Sequence, residues 1–346
     1  MFPQVPQAQA TFPVTTATQA SQLSPDVWAT LEGDQVNANV ILPTLYKCLS
    51  REQSGRPTQG HLWVVVYSPA PRSRVLYVAS CTDGYQGKYP VFLYTTTPPP
   101  SLRHDHITVT APLRSIAQAL WTVVGSRRVY SVFGPTVLAE VFCRIWTGMT
   151  HIGRIAQPYY DSKISFVNLR TFRDASDQRI SQGRIAVRPA TSQDIPQIAQ
   201  LCGQFAGESP PFVLTQIQAL QEANYLFAHK LVWVLTVTRN NLPEVATIVA
   251  FTRNSRNAAT ITKVFTPVQH RGNRYAETLV REVVRYLLNQ GGKQNVALYV
   301  GVTNMAANVY RRVGFVGLEP NAPPVDGVDR WVEYGFNRDH VDLGHW

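Results

Sequence analysis

The sequence predicts an α+β fold built in two halves, and three observations carry that prediction. Runs rich in β-branched and aromatic residues alternate with runs whose apolar residues recur every three or four positions, so strands and helices are both present. At 346 residues the chain exceeds the commonest single-domain size and fits two domains of roughly 150–200 residues. Between them the stretch TFRDASDQRISQG, 171–183, is polar and small and reads as a linker.

The first 25 or so residues are rich in Gln, Thr and Pro and read as a flexible tail, leaving 26–170 as the first domain. Within it HLWVVVYSP, RVLYVASC and YPVFLYTT read as strands separated by Pro, Gly and Ser. HDHITVT reads as a further strand that would set His104 and His106 on one face. With no third ligand nearby that pair has a surface or structural role. APLRSIAQALWTVVG has apolar residues at helical spacing and stops at Gly125. RRVYSVFGP is strand-like, Thr136 to Trp146 is an amphipathic helix, and KISFVNLR is a strand.

The second domain, 184–346, opens with the strand RIAVRPA and a helix carrying Ile195, Ile198 and Leu201. A second helix places Leu214, Ile217 and Leu220 on one face. LVWVLTVTR and EVATIVAFTR, joined by NNLP, form a β-hairpin, and TITKVFTP is the next strand. Tyr275 to Gln290 is the best-patterned helix of the chain, with Ala276, Leu279, Val280, Val283 and Leu287 on one face and Gly291-Gly292 as its stop. NVALYVGV is a strand, Met305 to Val313 a short helix, and FVGL and WVEYGF are closing strands.

Composition narrows the function classes. Hydrophobic residues make up 45% and charged residues 16%, which suits a packed core rather than disorder. The net charge of +10 is spread along the chain, with no basic stripe interleaved with aromatics, so an anionic small ligand is favoured over nucleic acid. Cys48, Cys81, Cys143 and Cys202 are far apart and read as buried free thiols. No apolar run reaches bilayer length, and the N-terminal residues lack a signal-peptide pattern. The expected location is the cytoplasm, with the nucleus left open.

The chemistry concentrates in KVFTPVQHRGNRYAETLV, 263–280, a strand that passes through a turn into a helix. A helix N-terminus offers unpaired N–H groups and partial positive charge, and Gly272 would let the backbone approach a ligand closely. The turn is a pyrophosphate cradle on one reading and a simple turn on the other. A second segment, LYVGVTNMAANVYRRVGF, sets Asn304, Asn308 and Tyr310 at and along a short helix after a strand. Asn304 is a helix cap by type, and Tyr310 is either a phenol able to protonate a leaving thiolate or a core tyrosine.

PxxxRGxxxA in the first segment and NxxAxxYxxxGF in the second, in this order of elements, resemble the GNAT superfamily of acyl-coenzyme A N-acyltransferases over about 184–336. The resemblance implies a mixed, mostly antiparallel sheet flanked by helices. The first half looks like a degenerate second copy that lacks the glycine turn and the NxxAxxY pattern and could wall the acceptor pocket. It further implies acetyl-CoA, or another acyl-CoA, as co-substrate, with no metal, and direct acyl transfer to an amine in a ternary complex. The family pattern R/Q-x-x-G-x-G/A falls on Gln269, Gly272 and Arg274, the last departing from it. Coenzyme contacts are thereby expected at Phe265, Thr266, Val268, Gln269, Arg271, Gly272, Asn273, Arg274 and Tyr275, and at Asn304 and Asn308. Tyr310 takes the role of general acid. Arg274 must either swing aside or lie along the phosphates. TITKVFTP carries no carboxylate, so the base is open among Glu208, Glu222, His229, Glu244 and a water chain. The alternatives are a silent coenzyme- or protein-binding pseudoenzyme and, further off, a nucleic-acid-binding module.

Overall fold

Alternating residues of β2 (Leu62–Tyr67) serve two cores at once, which is why LWVVVY is apolar throughout. Leu62, Val64 and Val66 face one layer of helices, while Trp63 and Val65 face another. The computed structural model describes residues 12–346 apart from 57, 72, 103–105, 240–241 and 321–322. Around β2 the first half runs β1 (Val14–Ala17), α1 (Pro25–Gly33), α2 (Leu42–Gln53), β2, β3 (Val75–Asp83), β4 (Lys88–Thr95), α3 (His106–Val124), β5 (Ser131–Pro135), α4 (Thr136–Thr150) and β6 (Tyr160–Val167). One helical turn, α5 (Gln178–Ser181), lies in the connection.

The second half begins with β7 (Ile185–Pro189), α6 (Ile195–Gly207), α7 (Gln216–Ala228), β8 (Val232–Arg239), β9 (Leu242–Ala250) and β10 (Arg253–Asn254). It continues with β11 (Ala258–Ile261), β12 (Lys263–Phe265), α8 (Tyr275–Asn289), β13 (Asn295–Gly301), α9 (Ala307–Val313) and β14 (Arg330–Gly335). Apart from the short β10 and the break between β11 and β12, its order repeats that of the first half. The fold is α+β, a mixed and mostly antiparallel sheet flanked by helices.

The two halves are joined by exchanged strands. One ten-stranded sheet runs β1-β2-β3-β4-β5-β14-β6-β13-β11-β10. β14, from the second half, pairs antiparallel with β5 of the first, Trp331 opposite Pro135 and Gly335 opposite Ser131. β6, from the first half, pairs with β13 of the second, Val296 opposite Val167. Each half's sheet is thus completed by the other half's last strand. A four-stranded sheet, β12-β9-β8-β7, forms the outer part of the second half.

This arrangement creates the gap that positions the site. β11 runs parallel to β13 from Ala258 to Ile261. After Thr262 the same strand leaves β13, and as β12 it pairs, among the described residues, with β9 alone. α8 covers one face with buried Leu279, Val280, Val283, Val284 and Leu287 against Val296, Leu298 and Val300 of β13. α6 and α7 cover the other face of β8, β9 and β12 through Ile198, Leu201, Ala223 and Leu226. Each such fully buried aliphatic side chain contributes about 1.5–3 kcal/mol of transfer free energy.

Several elements differ from the sequence-based expectation, each for a physical reason. Part of the 1–25 stretch read as a tail is the edge strand β1, paired with β2 from Val14 to Ala17. HDHITVT is not a strand, because α3 starts at His106. Val109, Leu113, Ile116, Ala117 and Leu120 bury one helical face, overriding the β-branched run. His104 lies outside the described residues. On α7 the buried face is Ala219, Glu222, Ala223 and Leu226, whereas Ile217 and Leu220 point outward, 72% and 46% exposed. FVGL is not a strand. Only Val316 donates to the Phe166 carbonyl, and Gly317 turns the chain with φ 70°. The hairpin β8–β9 forms as expected, with its turn at 240–241 outside the described residues.

Candidate active site

The turn after β12 exposes an uninterrupted row of amides. A 3-10 turn at Val268–His270 leads to Gly272, φ 83°, and then to Arg274, whose φ of 59° makes it the left-handed N-cap of α8. A Cβ on Gly272 would meet nothing within 4 Å, so its backbone angle, not crowding, demands glycine there. Among the described residues, the N–H groups of Gly272 to Glu277 donate to no acceptor of the chain, and the first helical bond here is Thr278 N–H to the Arg274 carbonyl. Six adjacent free donors at a helix N-terminus are the kind of backbone arrangement that suits an anion.

The neighbouring side chains hold this turn in place. Arg271 donates from Nε to the Thr266 carbonyl (2.9 Å) and from Nη2 to Glu208 (2.8 Å). The Asn273 amide donates to the His270 carbonyl, while its own carbonyl accepts from Arg179 (2.8 Å). The Arg179 guanidinium also lies 5.4 Å from the Tyr275 ring. Thr247 Oγ1 donates to the Phe265 carbonyl and lies 2.6 Å from Thr266 Oγ1. Val268, 74% exposed, and Gln269 face outward.

Arg274 turns back to Glu277, with Nη2 2.7 Å and Nε 3.1 Å from the carboxylate. Arg281 and Arg312 donate to the same group. Burial opposes ionisation of Glu277, but the hydrogen bonds from Arg274, Arg312 and Arg281 outweigh it and hold the carboxyl down to about 2. The knot ties the start of α8 to the end of α9.

Across the gap, α9 carries Tyr310 with its ring buried 5.8 Å from Phe315. Burial raises the phenol well above its ordinary value, reinforced by Tyr160, so the hydroxyl stays protonated at neutral pH. Among the described residues it has no hydrogen-bond partner. Asn304 does not cap the helix directly. Its Oδ1 accepts from Ala306 N–H and shapes the turn before α9, which starts at Ala307. Asn308 Oδ1 lies 3.5 Å from Arg311.

Of the four side chains considered as bases, one is buried against β12. Glu208 is tied to Arg271, and Glu244 pairs with His270 at 3.0 Å. His229 is exposed just past the end of α7, its ring 4.2 Å from that of Tyr225. Glu222, on the inner face of α7, is 5% exposed and accepts from Lys263 at 2.6 Å and from the Tyr85 hydroxyl at 3.4 Å. Its second oxygen, Oε2, is buried without a partner.

The first half, expected as a possible wall of the acceptor pocket, reaches the Glu222 side chain through residues the sequence did not single out. Tyr85, from the β3–β4 turn, stacks on Tyr225 of α7 at 3.9 Å. His345 hydrogen-bonds the Phe212 carbonyl, and Trp346 donates to Glu333 on β14. Burial raises Glu333 to about 7 despite hydrogen bonds from Ser131 and Trp346. Arg253 lies against the Trp346 ring at 4.7 Å. These contacts join residues far apart in the chain, so only one had a local signal: Lys263 is the lone charged residue in the strand TITKVFTP.

The four cysteines are buried and free, and burial pushes Cys48 and Cys81 up to about 11. Among the described residues no helix is long and apolar enough to cross a membrane, and no group of three metal-ligating side chains gathers.

Residues 202–315 match the model of the acetyltransferase (GNAT) family. The fold is similar to that of a GCN5-related N-acetyltransferase from Sphaerobacter thermophilus, with a TM-score of 0.55 and 16% identity over 97% of this chain and 98% of that one. It is also similar to a GNAT-family acetyltransferase from Colwellia psychrerythraea, with a TM-score of 0.50 and 11% identity over 94% and 100% of the two chains. No curated protein matches the sequence. The chain therefore carries a GNAT-family acetyltransferase domain at residues 202–315, within a fold it shares with GNAT acetyltransferases.

Proposed function

We propose that the chain is an N-acyltransferase that moves an acetyl group from acetyl-CoA to a primary amine by direct attack in a ternary complex. The observation that carries this reading is the row of six free amides from Gly272 to Glu277, placed where β12 leaves β13. Such a row fits a pyrophosphate, and Arg271 and Arg179, paired with Glu208 and Asp177, brace the turn beside it. The thioester supplies the activated acyl group. Backbone N–H groups near Phe265 to Val268 would polarise its carbonyl and hold the oxyanion. Glu222 is the group we assign to accept the amine's proton, since it alone among the candidate bases is buried beside β12 with an oxygen to spare. Tyr310, kept neutral by burial, would give its proton to the departing thiolate.

Calorimetric titration with acetyl-CoA tests the reading at its base. Saturable binding supports it, and no binding overturns it. Thiol release with a panel of primary amines then tests transfer. Binding with no release from any amine would leave a coenzyme-binding protein without turnover.

A further inference from the structure

Lys263 is an amine built into the wall of the site. Its Nζ is buried at the end of a strand, 2.6 Å from Glu222 and 4.8 Å from the centre of the Phe205 ring on α6. Lys263 and Phe265 face the same side of β12, as the burial of both against α6 and α7 requires. Two residues along a strand span roughly 7 Å, within reach of a lysine side chain from the backbone beside Phe265. Glu222 Oε2 is buried and unpartnered, so this carboxylate has a free site for a proton.

Resting on the acetyl-CoA reading above, we propose that Lys263 is a self-acylation site, taking an acetyl group from the thioester bound at the β12–β13 gap. Glu222 removes one proton from the ammonium. The Nζ lone pair then attacks the thioester carbonyl, the N–C bond forms and the C–S bond breaks with its electron pair on sulfur. The second proton shed by nitrogen goes to that sulfur, so the products are N-acetyl-Lys263 and the free thiol of the coenzyme. The other nucleophiles around Glu222 are poorer candidates. Burial pushes the Cys202 thiol up to about 12 and raises the Tyr85 phenol further, so both keep their protons. His345 is a further titratable group that feels the charges of the pair.

The test is incubation of the full chain with acetyl-CoA, followed by intact mass and peptide mapping, with coenzyme binding measured in parallel by titration. The expected result is one added acetyl group, on Lys263, stable to hydroxylamine as an amide is, and formed at a rate independent of protein concentration. Glu222→Gln should slow it about a hundredfold. Lys263→Met/Glu222→Gln, which leaves neither charge buried alone, should bind the coenzyme and gain no such label. Binding with Lys263 unmodified overturns the inference and leaves the acetyl-CoA reading standing. A hydroxylamine-labile label assigns the group to Cys202 and also overturns it. Absence of binding overturns both.

Discussion

The two halves share an order of elements but differ at one turn. In the second half the link from β12 to α8 contains Gly272 and presents six free amides. In the first half the corresponding link from β4 to α3 contains Pro98, Pro99 and Pro100, three residues with no N–H to give. Both halves keep a parallel strand pair beside the turn, β4 with β5 and β11 with β13. The parallel strand pair beside the turn is therefore common to both, while the strand break and the donors that would hold an anion are not. A shared fold supplies the place for a site, and a few backbone donors decide whether a site is there.

Four experiments would break or sharpen that contrast. The largest effect expected is on stability, in the second half. Glu277 is held at about 2, below its ordinary value near 4.5. Its contribution, about 3 kcal/mol, is complete above about pH 5, falls as pH drops and is gone below about pH 2. Denaturant unfolding across that window should show the loss, and Glu277→Gln should flatten this part of the profile. Equal slopes in the two proteins would mean the knot between α8 and α9 is worth little.

Next comes turnover. Tyr310→Phe should lower kcat about a hundredfold while leaving the Kd for coenzyme A within about twofold, because the phenol acts on the leaving group and not on binding. Undiminished turnover would remove Tyr310 from the chemistry.

A smaller effect falls on the turn itself. Gly272→Ala places a Cβ at φ 83°, which costs about 1–2 kcal/mol and should weaken coenzyme binding about tenfold by titration. Ser101→Ala, in the proline-rich turn of the first half, should leave binding unchanged. Equal losses in the two variants would erase the distinction between the halves.

The smallest effect concerns Arg274. Its guanidinium is engaged by Glu277, so Arg274→Gly should shift coenzyme affinity less than about threefold, with little change in salt dependence. Relief of the left-handed backbone offsets the lost ion pair. A large, salt-sensitive loss would instead place the guanidinium on the phosphates in the complex.

What could be read from the sequence was what is local. α8 declares itself because Leu279, Val280, Val283 and Leu287 repeat at helical spacing over more than two turns, and the glycine turn sits where the strand run ends. α1 and α2 were not assigned from the sequence, although Pro25 and Pro43 stand where proline is at home, in a first helical turn. On α7 three apolar residues at helical spacing marked the wrong face, since the inner face holds small alanines and Glu222. The partners of Glu222 come from β12 and from the first half, at separations of 41 and 137 residues, and no window of sequence contains such contacts. The strand exchange is hidden for the same reason: WVEYGF reads as a strand, but its neighbours β5 and β6 lie in the other half.

That exchange also bears on how the chain reaches its shape. β5 has an open edge until β14 arrives, and roughly 200 residues separate them, a span a ribosome takes about 10–40 s to make. During that interval Ser131 to Pro135 presents unpaired backbone on a fully buried strand, an invitation to aggregation that only the last strand removes. The halves are therefore interdependent in birth as well as in form: a nascent first half is a sheet waiting for its seam, and its yield in the cell should depend on how quickly translation delivers Arg330 to Gly335.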